Sequence, residues 1–161
     1  RLAASGNITS TPRVFSRNAM QIAVKPGNPL AIKGVSDLAR VGVIGLCSRT
    51  APCGVYAASV MALNKTVVPE SQITRGADAK ATLASVSVGD ANAAIVYVTD
   101  VRSAGAAVSG VVIPPNQNVR AIYGVSVIRG SDNREAAQAF VDYLLGRDAQ
   151  AVLKSFGFLA P

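Results

Sequence analysis

The chain of 161 residues is half hydrophobic and carries a formal net charge of +7 with a pI near 9.9, which is ample apolar content for one full domain or two small lobes. Its cations are scattered from Arg1, Arg13, Arg17 and Lys25 onward, aromatic residues make up 5% and tryptophan is absent, so base stacking is poorly supplied and nucleic acid is set aside; ordinary surface charge, the steering of a small anion or a position near anionic lipid headgroups fits the positive field. No apolar run approaches the ~20 residues of a membrane helix, and no leader with a basic start and apolar middle is present, so the sequence reads as a mature soluble segment.

The opening Arg1 to Pro12 is polar and irregular, without a strand of its own, which points to a natural protein extending further toward its N-terminus. Asn18 to Lys25 mixes β-formers with small residues and stops at Pro26-Gly27-Asn28-Pro29, predicting a strand and a turn. Ser36 to Arg40 predicts a short capped helical turn, and the unbroken apolar run Val41 to Leu46 a strand covered on both faces. The stretch from Thr50 to Ala57 then delivers a proline-primed turn into a helix from about Cys53 to Asn64. A short strand follows around Ser71 to Arg75, a helix from Asp78 to Val88 closed by Gly89, and an apolar strand from Ala94 to Val98. Pro114-Pro115 with Asn116-Gln117-Asn118 reads as a linker and Ala121 to Ile128 as a strand. Ser131-Asp132-Asn133 caps an amphipathic helix from Arg134 to Leu145, with Ala136, Ala137, Phe140, Val141, Leu144 and Leu145 on one side; Gly146 ends it, and a last helix spans Asp148 to Phe156.

Alternating strands and helices predict an α/β fold with a mostly parallel sheet and helices on both faces. In such sheets ligands gather at the carboxyl ends of strands, where the Cys47 to Gly54 turn and the Tyr97 to Asp100 turn both fall. A helix that starts at Pro52-Cys53 leaves its first N–H groups without intrahelical partners, and its dipole favours an anion there. Asp78 is most simply a cap for its helix, which leaves the N–H of Ala79 free to point outward. Tyr97 is open to two readings, a core tyrosine whose hydroxyl finds a carbonyl, or a hydrogen-bond donor to a ligand oxygen.

With no histidine and only two cysteines, neither a zinc tetrahedron nor a Ser-His-Asp triad can be assembled. Ser131-Asp132-Asn133 matches a penicillin-recognising box, but no Ser-x-x-Lys nucleophile accompanies it, and no glycine-rich phosphate loop occurs. The sequons at Asn7 and Asn64 read as chance matches. Cys47 and Cys53 are spaced too widely for a thioredoxin-like motif; in an exported protein they are expected as a disulfide, the alternative being two reduced core thiols. A free Cys53 at a helix start would tend to a thiolate, placing negative charge where an anionic ligand would sit, which favours the bond.

Taken in order, Phe15 to Asn18, Ile22-Ala23-Val24, Gly27-Asn28-Pro29, Asp37-Leu38, Ala51 to Ala57, Ala94 to Asp100, Ala139 to Leu144 and Gly157-Phe158 resemble the periplasmic molybdate-binding proteins of ABC importers over nearly the whole chain. The resemblance implies a periplasmic-binding-protein-like fold of two α/β lobes, here 14–113 as the central lobe and 1–13 with 114–161 as the remaining part of the first, whose opening portion is not represented. It implies molybdate or tungstate as ligand, held by the backbone N–H groups of Cys53 and Ala79 and the Tyr97 hydroxyl, with no metal coordinated by side chains and no cofactor. It further implies a non-enzymatic, monomeric, extracytoplasmic protein, periplasmic or lipid-anchored, that serves a membrane permease; a binding module or sensor for another tetrahedral oxyanion such as sulfate is the alternative.

Overall fold

The computed structural model describes residues 6–8 and 10–161. Residues 1–5, part of the segment assigned to the first lobe, and Thr9 of the first sequon lie outside the described residues. Contacts divide the chain into one unit of residues 1–18 with 121–161 and another of Ala19–Arg120.

The Ala19–Arg120 unit is built on β2 (Ile44–Cys47), β3 (Ile73–Gly76), β4 (Ala93–Tyr97), β5 (Ser109–Val112) and the second half of β1 (Arg13–Val24), in the order β3-β2-β4-β1-β5. β2 runs parallel to both β3 and β4, with Ile44 opposite Ile73 and Ala93, whereas β1 is antiparallel to β4 and β5. The expected mostly parallel sheet is therefore mixed. Its parallel part is the three strands that each feed a helix, while β1 runs antiparallel to the strands on both its sides.

The helices are α1 (Pro52–Leu63), α2 (Ala79–Ser87) and α3 (Val98–Ala104). Alternate strand residues separate two buried layers. Met20, Ile22, Val24, Ile44, Leu46, Ala93 and Ile95 pack with Ala57, Val60 and Met61 of α1, and Ala23, Ala94 and Val96 pack with Val86 of α2 and Val101 of α3. Helices thus cover both faces as the pattern predicted, because residues of opposite parity point to opposite sides of the pleat. The expected helical turn near Asp37 is a 3-10 turn over Val35–Arg40. The segment expected as a linker is tied down: after a 3-10 turn over Pro115–Gln117, the Asn118 side chain accepts from Met20 N–H at 3.3 Å and donates to Met20 C=O at 2.8 Å.

In the other unit β6 (Arg120–Val125) pairs with β1, and the chain ends in α4 (Arg134–Leu145) and α5 (Arg147–Ser155). Four expectations are corrected. β1 begins at Arg13, not near Asn18, because its inward positions include the buried polar Ser16 and Asn18, which hide the alternation. The opening segment is also not wholly irregular, since Ile8 forms an antiparallel bridge with Ile128. Asn133 stands at the cap position of α4 without a side-chain cap bond, and of the apolar side expected for that helix only Val141 is buried while Phe140 is exposed.

The two sheet layers make one stability prediction. Ile95→Ala, at a fully buried position, is expected to cost about 2–5 kcal/mol in urea unfolding. Val112→Ala, at a position 70% exposed, is expected to stay within about 0.5 kcal/mol.

Candidate functional site

Parallel pairing brings three strand ends to one edge of the sheet, with Cys47 of β2 opposite Gly76 of β3. Each strand runs directly toward a helix start, at Pro52 after β2, at Ala79 after β3 and at Val98 after β4. Strand order β3-β2-β4 places these starts side by side, with that of α1 in the middle. Cys53, Ala79 and Tyr97 therefore lie along a single edge of the Ala19–Arg120 unit.

The α1 start has no side-chain cap. Its cap position is Ala51, whose carbonyl accepts from the N–H groups of Gly54 at 2.9 Å and Val55 at 3.1 Å. Pro52 has no N–H to offer, so Cys53 carries the first N–H of the helix, and among the described residues no acceptor is found for it. The turn is very tight: a Cβ at Gly54 would overlap the Ser48 carbonyl oxygen, so glycine is needed for the loop to fold back on the helix. Within the same loop the Ser48 and Thr50 hydroxyls are 3.3 Å apart. Sequence reading did not single out these two polar groups, since nothing in their spacing marks them.

The disulfide expected between Cys47 and Cys53 is present, with a Cα–Cα distance of 5.8 Å. Both cysteines are buried. Ser48 N–H donates to Gly76 C=O at 2.7 Å, which joins the β2 turn to the β3 turn. At α2 the Asp78 carboxylate accepts from Ala81 N–H at 2.8 Å, the expected cap, and no acceptor is found among the described residues for the Ala79 N–H. Gly76 lets that helix approach closely, since a Cβ there would sit 2.5 Å from the Thr82 nitrogen.

The segment after Tyr97, expected as a turn, is the helix α3, and Tyr97 occupies its cap position. Asp100 accepts from the Tyr97 N–H at 3.0 Å. The signal that could have revealed this helix is the acidic residue three positions after the cap, which reaches back to its N–H. The Tyr97 ring is half-buried and meets the Tyr56 ring edge-on, with centroids 6.3 Å apart, which ties the end of β4 to the first turns of α1.

Charge at this edge is mixed. Burial holds the Asp100 carboxyl above its usual range; the Tyr97 hydrogen bond opposes that shift, and the negative charge of Asp78 adds to it. Glu70 pairs with Arg75 at 2.7 Å and Arg49 at 2.9 Å, and its hydrogen bond from Arg75 is the main cause that lowers its pKa from 4.5 to about 2. Arg75 also donates to the Cys47 carbonyl at 3.0 Å. The edge as a whole offers uncharged N–H donors at α1 and α2, with Arg49 and Arg75 committed to Glu70 and Lys80 in the first turn of α2.

A family model described as bacterial extracellular solute-binding protein matches residues 1–159. A curated relative, the molybdate-binding protein ModA of Mycobacterium tuberculosis, is 27% identical over 161 residues, which is 99% of this chain and 61% of the relative. The chain thus spans less than two thirds of that relative's length. Among solved structures, the Azotobacter vinelandii periplasmic molybdate-binding protein aligns with a TM-score of 0.80 at 17% identity, covering 99% of this chain and 73% of the other. The sulfate-binding protein SubI from Mycobacterium tuberculosis aligns with a TM-score of 0.79 at 20% identity, covering 98% and 63%. At these identities the structural matches establish the fold.

Two measurements check the local account. Gly54→Ala is expected to destabilise by about 2–3 kcal/mol in urea unfolding, because the loop must open to admit the methyl group. The folded pKa of Glu70 lies below its unfolded value, so its pairing stabilises fully above the ordinary 4.5 and is lost as pH falls toward about 2. The stability difference between the wild type and Glu70→Gln should accordingly vanish across that window in acid titrations followed by circular dichroism.

Proposed function

The chain belongs to the family of bacterial extracellular solute-binding proteins, and from that membership we propose that the natural protein captures molybdate or tungstate outside the cytoplasm, in the periplasm or on a lipid anchor, and passes it to the permease of an ABC importer. The observation that carries this reading is the pair of N–H groups at Cys53 and Ala79, which lack acceptors among the described residues and lie at neighbouring helix starts on one sheet edge. Support for the anion's identity comes from the curated relative, named as molybdate-binding and matched along 99% of this chain.

In this reading the N–H groups of Cys53 and Ala79 and the hydroxyl of Tyr97 donate to the oxygens of a fully ionised tetrahedral anion, aided by the dipoles of α1 and α2. A set of donors has no acceptor for the remaining proton of hydrogen phosphate, so phosphate is rejected, and the larger metalates are separated from sulfate by size. No metal is coordinated by a side chain and no cofactor takes part. In this reading the protein acts as a monomeric carrier and not as an enzyme. We assign residues 14–113 to the central lobe and 1–13 with 114–161 to the other; the division of contacts at Asn18 and Arg120 supports such an outline. The fold is shared with a protein named as sulfate-binding, so capture of sulfate is the reading to be tested against.

Calorimetry of the protein expressed from its complete gene, with molybdate, tungstate, sulfate and phosphate, decides between them. Tight binding of molybdate and tungstate, with sulfate weaker and phosphate silent, is expected; binding of phosphate alone would contradict the assignment. Tyr97→Phe is expected to weaken molybdate binding by about 1–2 kcal/mol, read from the same titration, since one hydroxyl donor is removed without changing the ring.

A further inference from the structure

We propose that the Cys47–Cys53 disulfide sets the affinity of the anion site, so that the ligand is held while the bridge is closed and released when a dithiol opens it; this rests on the assignment of the α1 start as an anion donor. The bridge joins the last residue of β2 to the residue that carries the first N–H of α1. A polar side chain at the cap position can fix a helix start, as Asp78 does for α2, and α1 has none. The covalent link takes the place of that cap.

The bridge also ties this start to its neighbours. The Thr82 hydroxyl of α2 donates to the Asp78 carbonyl at 2.7 Å and lies against the Cys47 sulfur at 3.3 Å, in buried surroundings, and Arg75 of β3 holds the Cys47 carbonyl. Since α2 carries the Ala79 N–H, the bridge and this buried contact at the Cys47 sulfur link the two proposed donors. Opening the bridge frees the 47–53 loop and loosens both ends of that link.

Opening also changes charge. Two electrons and two protons from a small dithiol break the S–S bond and leave two thiols, while the dithiol closes into its own disulfide. The new Cys53 thiol lies at a helix start, where the dipole favours its thiolate. The charged groups along this edge include Arg49 and Arg75, both paired with Glu70, the carboxylates Asp78 and Asp100 at the starts of α2 and α3, and Lys80 in the first turn of α2. A thiolate there would add negative charge to this edge and repel a dianion.

The test titrates molybdate by calorimetry into three forms of the protein expressed from its complete gene: oxidised, reduced with dithiothreitol and verified by thiol counting, and Cys47→Ala/Cys53→Ala. Circular dichroism of each form reports whether it is folded. The expected result is binding weakened about tenfold or more in the reduced and doubly substituted forms, with folded spectra and recovery on reoxidation. Affinities that stay within about twofold of the oxidised form, even if thermal stability falls, would overturn the proposal and leave the functional reading standing. Unfolded spectra in both altered forms would assign the bridge to folding and overturn it equally. Failure of the oxidised protein to bind any oxyanion would instead bring down the functional reading, and this proposal with it.

Discussion

The parallel pairing of β2 with β3 on one side and β4 on the other is the constraint on which the remaining features depend. Parallel strands end at the same edge, and each must leave the sheet through a crossover, so three helix starts are forced into one row. In-register pairing from Ile44 and Ile73 to Cys47 and Gly76 keeps the two central turns level. The Ser48 to Gly76 hydrogen bond and the Tyr56 to Tyr97 ring contact then join the turns directly. Had β2 and β3 been antiparallel, Cys53 and Ala79 would lie at opposite edges and no shared donor set could form.

Neutral donors and committed charges form a consistent electrostatic design. Glu70 occupies Arg49 and Arg75, which holds these two guanidinium groups back from binding anions indiscriminately. Asp78 and Asp100 accept from the backbone of their own helices, at Ala81 and Tyr97, so their oxygens are engaged locally. Burial, with the charge of Asp78 adding to it, raises the Asp100 carboxyl above its usual range. Selectivity in such a site comes from the number and direction of donors, with long-range attraction left to the net positive charge of the whole chain.

Much of this was legible in the sequence, where local chemistry decides structure. The proline at Pro52, the cap at Asp78, the closing glycine at Gly89 and the unbroken apolar runs of β2 and β4 each announce an element, and α4 was placed to the residue. The cysteine pair was legible too, because export and helix-start chemistry both favour the bridge. What escaped depended on partners distant in sequence. β1 carries buried Ser16 and Asn18, and Ser16 donates to the carbonyl of Leu159 at 3.2 Å, a contact that no local pattern announces. The antiparallel direction of β1 is likewise a property of the assembled sheet. α3 was passed over because its seven residues give too little periodicity to register, and the exposed face of α4 could not be told from a buried one, since amphipathicity indicates which residues prefer burial but not whether they find it.

The central claim, that the row of helix starts is an anion socket, is tested most directly by amide nuclear magnetic resonance during a molybdate titration of the protein expressed from its complete gene. The account predicts that the Cys53 and Ala79 amide protons move together, among the largest shifts in the spectrum, and saturate at one common dissociation constant. Saturable binding that leaves both amides unmoved, with shifts gathered elsewhere, would contradict it.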